Sequence, residues 1–263
     1  MSIVVNSLGV SLGGLPIVKD ISFQIESGHV VGVLGSNGSG KTTLIKAMLG
    51  LLPCTGEVKI LGQPITTFNN WKKIGYVPQR SSVSLHSTTT REVVESGLLA
   101  GRSWGWVQSN ERRHAQEVLD IVGLSNHGEE PYLHLSGGQQ QRVLIARGIV
   151  HQPEILIMDE PFAGVDLDHQ RDIIARLSGM GATIVVVLHE TTLWANVLDR
   201  TLILREGRLV YDQSLRGDHP LGDYSTTSNS MDSATNAQND KEGHAVGTVE
   251  ESLLTGMEPR WTI

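Results

Sequence analysis

The fold is decided by the stretch Gly35-Ser36-Asn37-Gly38-Ser39-Gly40-Lys41-Thr42, which Thr43 follows directly. It has the form of a phosphate-binding loop: Gly, any four residues, Gly and Lys, and then Ser or Thr. The glycines let the backbone curl so that consecutive N–H groups point at an anion. Lys41 would place a positive charge on the β- and γ-phosphates of a nucleotide, and the Thr42 hydroxyl would reach Mg²⁺. We therefore predict nucleotide binding by Gly35, Ser36, Asn37, Gly38, Ser39, Gly40, Lys41, Thr42 and Thr43.

The residues on either side of the loop predict a strand, the loop and then a helix. Residues 29–34 form an apolar run typical of a buried strand, and residues 44–49 favour the helix that follows. The helix N-terminus would then face the phosphates, where its dipole favours negative charge. A glycine-rich turn that only caps an ordinary helix is the weaker alternative, because it does not explain the flanking pattern.

Composition and charge exclude several classes of protein. The chain has 263 residues, 39% of them hydrophobic, and no apolar run approaches the ~20 residues that cross a bilayer. The first five residues lack the basic start and apolar centre of a secretory signal. Cys54 is the single cysteine, so no internal disulfide can form, which suits a reducing cytoplasm. The net charge is −7, and the absence of a basic region argues against a nucleic-acid partner.

The order of the predicted elements indicates an α/β fold with a mostly parallel sheet, preceded by antiparallel strands at residues 3–8 and 21–25. We expect a P-loop NTPase core at 1–80 and 150–217, with an inserted helical subdomain at about 81–149, all in one domain. A short helix is predicted at 191–197. From residue 218 onward the chain is polar and acidic, and we predict a disordered tail over 218–263.

Two further motifs carry chemistry. Residues 155–160 read as an apolar strand that ends in Asp159 and Glu160. Asp159 is placed to help hold Mg²⁺, and Glu160 to polarise the water that attacks the γ-phosphate. The alternative for Glu160 is a charge at a helix start before Pro161.

The second motif, Leu135-Ser136-Gly137-Gly138-Gln139, precedes a helix and predicts another anion site at a helix N-terminus. Without the phosphate-binding loop elsewhere in the chain, it would indicate only an ordinary helix cap.

Taken together, these motifs resemble the ATP-binding subunit of an ABC transporter, and the resemblance runs from about residue 3 to residue 215. The matching elements are Walker A at 35–42, Gln79 after a short strand, the signature at 135–139, Walker B at 155–160, Asp166 in the D-loop, and His189 as the switch histidine.

The resemblance implies that two copies of the chain bind two ATP molecules between them. Each ATP would contact Walker A of one copy and the residues Ser136, Gly137, Gly138 and Gln139 of the other, with Asp166 nearby. Glu160 would be the general base, with His189 and Lys41 at the γ-phosphate. Thr42, Gln79 and Asp159 would hold or approach Mg²⁺.

The sequence departs from the family at two positions. Leu12 occupies the place of the aromatic residue that stacks on adenine, so ring stacking is lost and we predict looser purine selectivity or weaker ATP affinity. Leu188 precedes His189, where a smaller residue is commoner.

The resemblance also implies partners and a location. We expect an ATPase at the cytoplasmic face of the cell membrane, bound to separate permease subunits and served indirectly by a substrate-binding protein. The stretches 74–80, 90–94 and 160–166 look most like importers of divalent metals such as zinc or manganese. The alternatives are another solute such as chelated iron, a soluble ABC-type ATPase without a transport role, or a small-molecule phosphotransferase.

Overall fold

The computed structural model describes residues 1–79, 88–99 and 107–215. The predicted acidic tail at 218–263 lies outside these ranges, as do residues 81–87 and 100–106 of the predicted helical subdomain.

The described residues form two sheets. One has four antiparallel strands in the order β2-β1-β4-β5, and the other has six strands in the order β10-β9-β3-β8-β7-β6. In chain order the strands are β1 (Ile3–Leu12), β2 (Leu15–Ile25), β3 (Val30–Leu34), β4 (Thr55–Ile60), β5 (Gln63–Pro64), β6 (Ile74–Val77), β7 (Ile155–Asp159), β8 (Thr183–Val187), β9 (Arg200–Arg205) and β10 (Arg208–Ser214).

The larger sheet positions the predicted site. Its strands are parallel except β10, which runs antiparallel to β9. Every residue of β7 and β8 is buried, as expected for parallel strands covered on both faces. Because parallel strands end at the same edge, the loops after β3, β6, β7 and β8 lie together there. This is the edge where ligands bind in open α/β sheets.

The described helices are α1 (Lys41–Met48), α2 (Thr90–Ser96), α3 (Ser109–Ile121), α4 (Gly137–Ile149) and α5 (Leu167–Ser178). Within the stretch predicted as helical, α4 packs on both α2 and α3. Val118 and Leu119 of α3 are buried in the same apolar cluster as Ile184 of β8. Each such side chain contributes about 1.5–3 kcal/mol on burial. The predicted mixed fold, with a mostly parallel sheet, antiparallel N-terminal strands and helices, is confirmed.

The helix predicted at 191–197 is wrong, since these residues form successive turns. Trp194 N–H donates to the Thr191 carbonyl and Val197 N–H to that of Trp194, so both bonds close short turns rather than a continuous helical ladder. Trp194 is buried, and its ring centroid lies 6.0 Å from that of Phe162. The apolar pattern there reflects the burial of Trp194 rather than helical periodicity. In the part of the chain that the structure describes, no helix combines the length and apolarity of a membrane span.

Candidate functional site

The phosphate-binding loop connects β3 to α1, as predicted. Gly35 has a φ of 151°, and a Cβ atom there would lie 2.4 Å from the Leu204 carbonyl oxygen. Only glycine fits this close approach to β9. Gly40 caps α1 in a left-handed conformation, and no side chain caps the N–H groups of the first turn. Those N–H groups are therefore available to an anion.

Lys41 is folded back over the loop. Its side chain is buried, and Nζ donates hydrogen bonds to the carbonyl oxygens of Gly35 at 2.8 Å and Ser36 at 3.0 Å. Burial lowers the pKa of Lys41, and the negative charges of Glu160 and Asp159 partly oppose this. A phosphate bound in the loop would be a stronger hydrogen-bond partner for this buried cation than the two neutral carbonyls are.

Asp159 ends β7 and is completely buried. Neither of its carboxylate oxygens has a hydrogen-bond partner of normal geometry among the described residues. Burial raises the pKa of Asp159 and the charge of Glu160 adds to this, while the Thr42 hydroxyl and the charges of Lys46 and Lys41 act in the opposite direction. A buried carboxylate without a donor is costly unless a cation pairs with it. With the nearby Thr42 hydroxyl, it fits the oxygen ligands that Mg²⁺ prefers.

Glu160, Gln79 and His189 are brought together from three loops at the edge of the sheet. Gln79 Nε2 donates to Glu160 Oε2 at 2.7 Å, and His189 Nε2 lies 2.8 Å from Glu160 Oε1. Glu160 has a φ of 48°, a left-handed conformation that costs a non-glycine residue energy. Gln79 and His189 hold this carboxylate at the sheet edge, and its negative charge raises the pKa of Lys41 in opposition to burial.

The signature residues form the N-terminus of α4. The Ser136 N–H donates to Gln139 Oε1 at 2.8 Å, and the Gln139 N–H donates to Ser136 Oγ at 3.3 Å. A Cβ atom at Gly138 would lie 2.3 Å from the Gly164 carbonyl oxygen, so this helix closely abuts the loop after β7. In the described ranges, no hydrogen bond joins Ser136 or Gln139 to the phosphate-binding loop of the same chain.

Asp166 has a local role that the sequence analysis missed. Its side chain caps α5 by accepting a hydrogen bond from the His169 N–H at 3.1 Å, and His169 Nδ1 lies 2.7 Å from the same oxygen. The side-chain hydrogen bond of His169 holds the pKa of Asp166 below its usual value. An Asp followed by a helical pattern is the signal that could have identified this cap.

The two departures from the family pattern have different surroundings. Leu12 lies at the end of the β1–β2 hairpin, 42% exposed, and pairs across it with Leu15, which is 69% exposed and which the sequence analysis did not single out. Leu188 is buried, and its N–H donates to the Val33 carbonyl at 3.0 Å. The fold therefore accommodates the larger residue before His189.

Comparison with known proteins agrees with this geometry. A family model described as "ABC transporter" matches residues 18–163. The zinc transport system ATP-binding protein TroB of Treponema pallidum is 37% identical over 208 residues, which is 76% of this chain and 77% of TroB. The manganese transport system ATP-binding protein MntB of Halalkalibacterium halodurans is 37% identical over 199 residues, 74% of this chain and 79% of MntB.

Solved structures show the same fold. A dimeric bacterial ABC transporter cassette superimposes with a TM-score of 0.74 at 28% identity, covering 82% of this chain and 99% of the cassette. The same cassette is also known in a post-hydrolysis state bound to ADP and Pi. The predicted likeness to zinc and manganese transport ATPases is confirmed. The chain belongs to the ABC transporter family and is one of its ATP-hydrolysing cassettes.

Proposed function

We propose that this chain uses ATP and Mg²⁺ to energise the import of a divalent metal, zinc or manganese, through a separate permease. ATP hydrolysis is supported by one observation: Glu160, Gln79 and His189 form a cluster on the same sheet edge as the phosphate-binding loop. The names of TroB and MntB support the choice of metal over the other solutes considered.

The residues divide the work between binding and proton transfer. The N–H groups of residues 35–43 and the Lys41 ammonium bind the phosphates, and Lys41 exchanges its two carbonyl partners for phosphate oxygens. Asp159 and Thr42 would hold Mg²⁺, with Gln79 approaching, and the ion would supply positive charge to the phosphates.

Glu160 accepts the proton of the attacking water. Each of its oxygens has one contact here, with Gln79 or with His189, and keeps a second lone pair that can accept from the water. His189 is half exposed and can turn from Glu160 toward the γ-phosphate. Loss of the His189 contact would make the carboxylate a stronger base, so movement of this histidine would link γ-phosphate binding to proton transfer.

The second wall of the site comes from another copy of the chain. Ser136 and Gln139 cap their own helix, and in the described part of the chain no hydrogen bond joins them to their own phosphate-binding loop. We propose that residues 136–139, with Asp166 beside them, meet the ATP held by a partner copy, so that ATP holds a homodimer together. The known dimeric cassette supports this arrangement.

The dimer would bind integral membrane permease subunits at the cytoplasmic face, and a substrate-binding protein would deliver the metal to that permease. Nucleic acid has no place in this proposal. The test is uptake of Zn²⁺, Mn²⁺ and iron in cells that lack the chain, complemented with wild type or with Glu160→Gln. We expect loss of zinc or manganese uptake, restored by wild type and not by Glu160→Gln. Normal uptake of both metals in the deleted cells would contradict the proposed substrate.

A further inference from the structure

The signature helix α4 contains a buried glutamine whose side-chain amide has no hydrogen-bond partner among the described residues. Gln141 is 1% exposed, and neither its Oε1 nor its Nε2 has a hydrogen-bond partner within the described ranges. Its two neighbours differ. Gln139 closes the cap with Ser136, and Gln140 Nε2 donates to the carbonyls of Tyr132 at 3.3 Å and Leu135 at 3.1 Å. Because almost all buried amides are bonded, Gln141 requires an explanation.

Helical geometry shows which part of the fold Gln141 faces. With 3.6 residues per turn, positions 138, 141 and 148 lie on one side of α4. At one end of this side, Gly138 abuts the carbonyl of Gly164. At the other end, a Cβ atom at Gly148 would lie 2.8 Å from Val77 Cγ2, at the end of β6. Gln141 is between them and one turn from Gly138, so it faces the segments that leave β6 and β7.

Those segments carry the reacting groups. β6 leads to Gln79 two residues after its end, and β7 leads to Glu160 and the loop that reaches Gly164. The N-terminus of α4 would contact the ATP of the partner copy, as proposed above. A displacement of α4 driven by that contact would therefore move Gln141 against the loop that holds Glu160.

We propose that Gln141 is a positioning residue whose amide bonds to the backbone of the 160–166 loop when ATP closes the dimer. In the arrangement described here the amide is buried without a partner among the described residues, which raises the energy of this arrangement. When the dimer closes, the amide gains hydrogen-bond partners, which lowers the energy of the ATP-bound state but not that of the open state. Contacts that differ between two states are what shifts the equilibrium between them. Gln141 thereby connects the signature helix of one copy to the general base of the same copy. This inference rests on the proposed ATP-driven dimer.

The test compares Gln141→Met with its parent in the full chain. Methionine keeps the size and apolar stem but removes both hydrogen-bonding atoms. We expect the variant to raise the Tm of the nucleotide-free protein by roughly 2–12 °C, since an unsatisfied amide is removed. With Glu160→Gln in both proteins to prevent turnover, the rise in Tm on adding Mg-ATP should be smaller in the variant. With Glu160 intact, kcat should fall by about 5- to 150-fold while KM stays the same.

Gln140→Met is the matched control. It removes an amide that already has two partners, so it should lower the Tm without nucleotide. A lower Tm for nucleotide-free Gln141→Met, or an unchanged rise on adding Mg-ATP, would overturn the inference. If the parent itself shows no rise with Mg-ATP, the proposed ATP-binding function fails. If the parent responds and the variant responds equally, only the role of Gln141 fails.

Discussion

Replacement of Asp159 by Asn should stabilise the nucleotide-free protein and remove its response to Mg²⁺. Asp159 is completely buried, and no donor of normal geometry among the described residues meets its carboxylate. Asparagine keeps a polar side chain at this position but removes its negative charge. An unsatisfied buried group costs about 1–3 kcal/mol, and more when it is charged, so only the additional cost of the charge is recovered. For a domain of this size, each kcal/mol corresponds to roughly 2–4 °C in Tm. Taking the additional cost as about 1 kcal/mol, we expect Asp159→Asn to raise the Tm by about 2–4 °C in EDTA.

The contribution of Asp159 to the stability of the folded protein should depend on pH. Because burial raises the pKa of Asp159, the folded state holds this proton more tightly than the unfolded chain does. The contribution of Asp159 to stability is therefore greatest below the unfolded value of about 4, and falls as pH rises from there through the raised folded pKa. Asp159→Asn should remove this part of the pH dependence.

The assay is thermal unfolding of the full chain in EDTA, in ATP with EDTA, and in ATP with Mg²⁺. Wild type should gain stability from ATP and gain further from Mg²⁺, whereas Asp159→Asn should lose the second gain and nearly all hydrolysis. Asp168→Asn is the control, because the Asp168 side chain is 93% exposed and should change little. A lower Tm for Asp159→Asn in EDTA would contradict the cost assigned to the buried charge, and an unchanged gain from Mg²⁺ would refute the assignment of Asp159 as a metal ligand.

Three further changes test other parts of the site. Leu12→Tyr should tighten ATP binding by about 2- to 12-fold, because a ring adds about 0.5–1.5 kcal/mol of stacking; calorimetric titration giving the wild-type Kd would contradict this. Ser136→Arg should abolish hydrolysis while ATP still binds to Walker A, as measured by a fluorescent ATP analogue; hydrolysis at the wild-type rate would show that Ser136 does not meet the partner's nucleotide. Asp166→Ala should lower the Tm through loss of the α5 cap, and because the pKa of Asp166 is lowered, the difference from wild type should vanish as pH falls through that lowered pKa. A difference that persists at low pH would assign the stability loss to another cause.

The sequence predicted the fold well, because the fold depends on local patterns, whereas the roles of the site residues stay predictions. The phosphate-binding loop requires glycine where the backbone approaches β9, and this requirement is visible at Gly35. Apolar runs such as residues 183–187 predict buried strands directly. The turn region at 191–197 was missed because a buried Trp194 produces the same apolar spacing as a helix.

The hydrogen-bond partners of the site residues could not be predicted, because they come from segments that are distant in the sequence. The missing partners of Asp159, and the sharing of Glu160 by Gln79 and His189, arise only when the ends of β6, β7 and β8 meet. The unpartnered amide of Gln141 could not be predicted either, because the sequence shows three consecutive glutamines and does not tell which of their amides are hydrogen-bonded.

The central claim is that ATP binds between two copies of the chain. The most direct measurement is the mass in solution of the full-length Glu160→Gln protein, by light scattering, with and without Mg-ATP. The variant retains Lys41, Asp159 and the signature residues but lacks the proposed base, so bound ATP should persist. We predict a monomer without nucleotide and a dimer with Mg-ATP. A protein that binds Mg-ATP yet stays monomeric at high concentration would contradict the account.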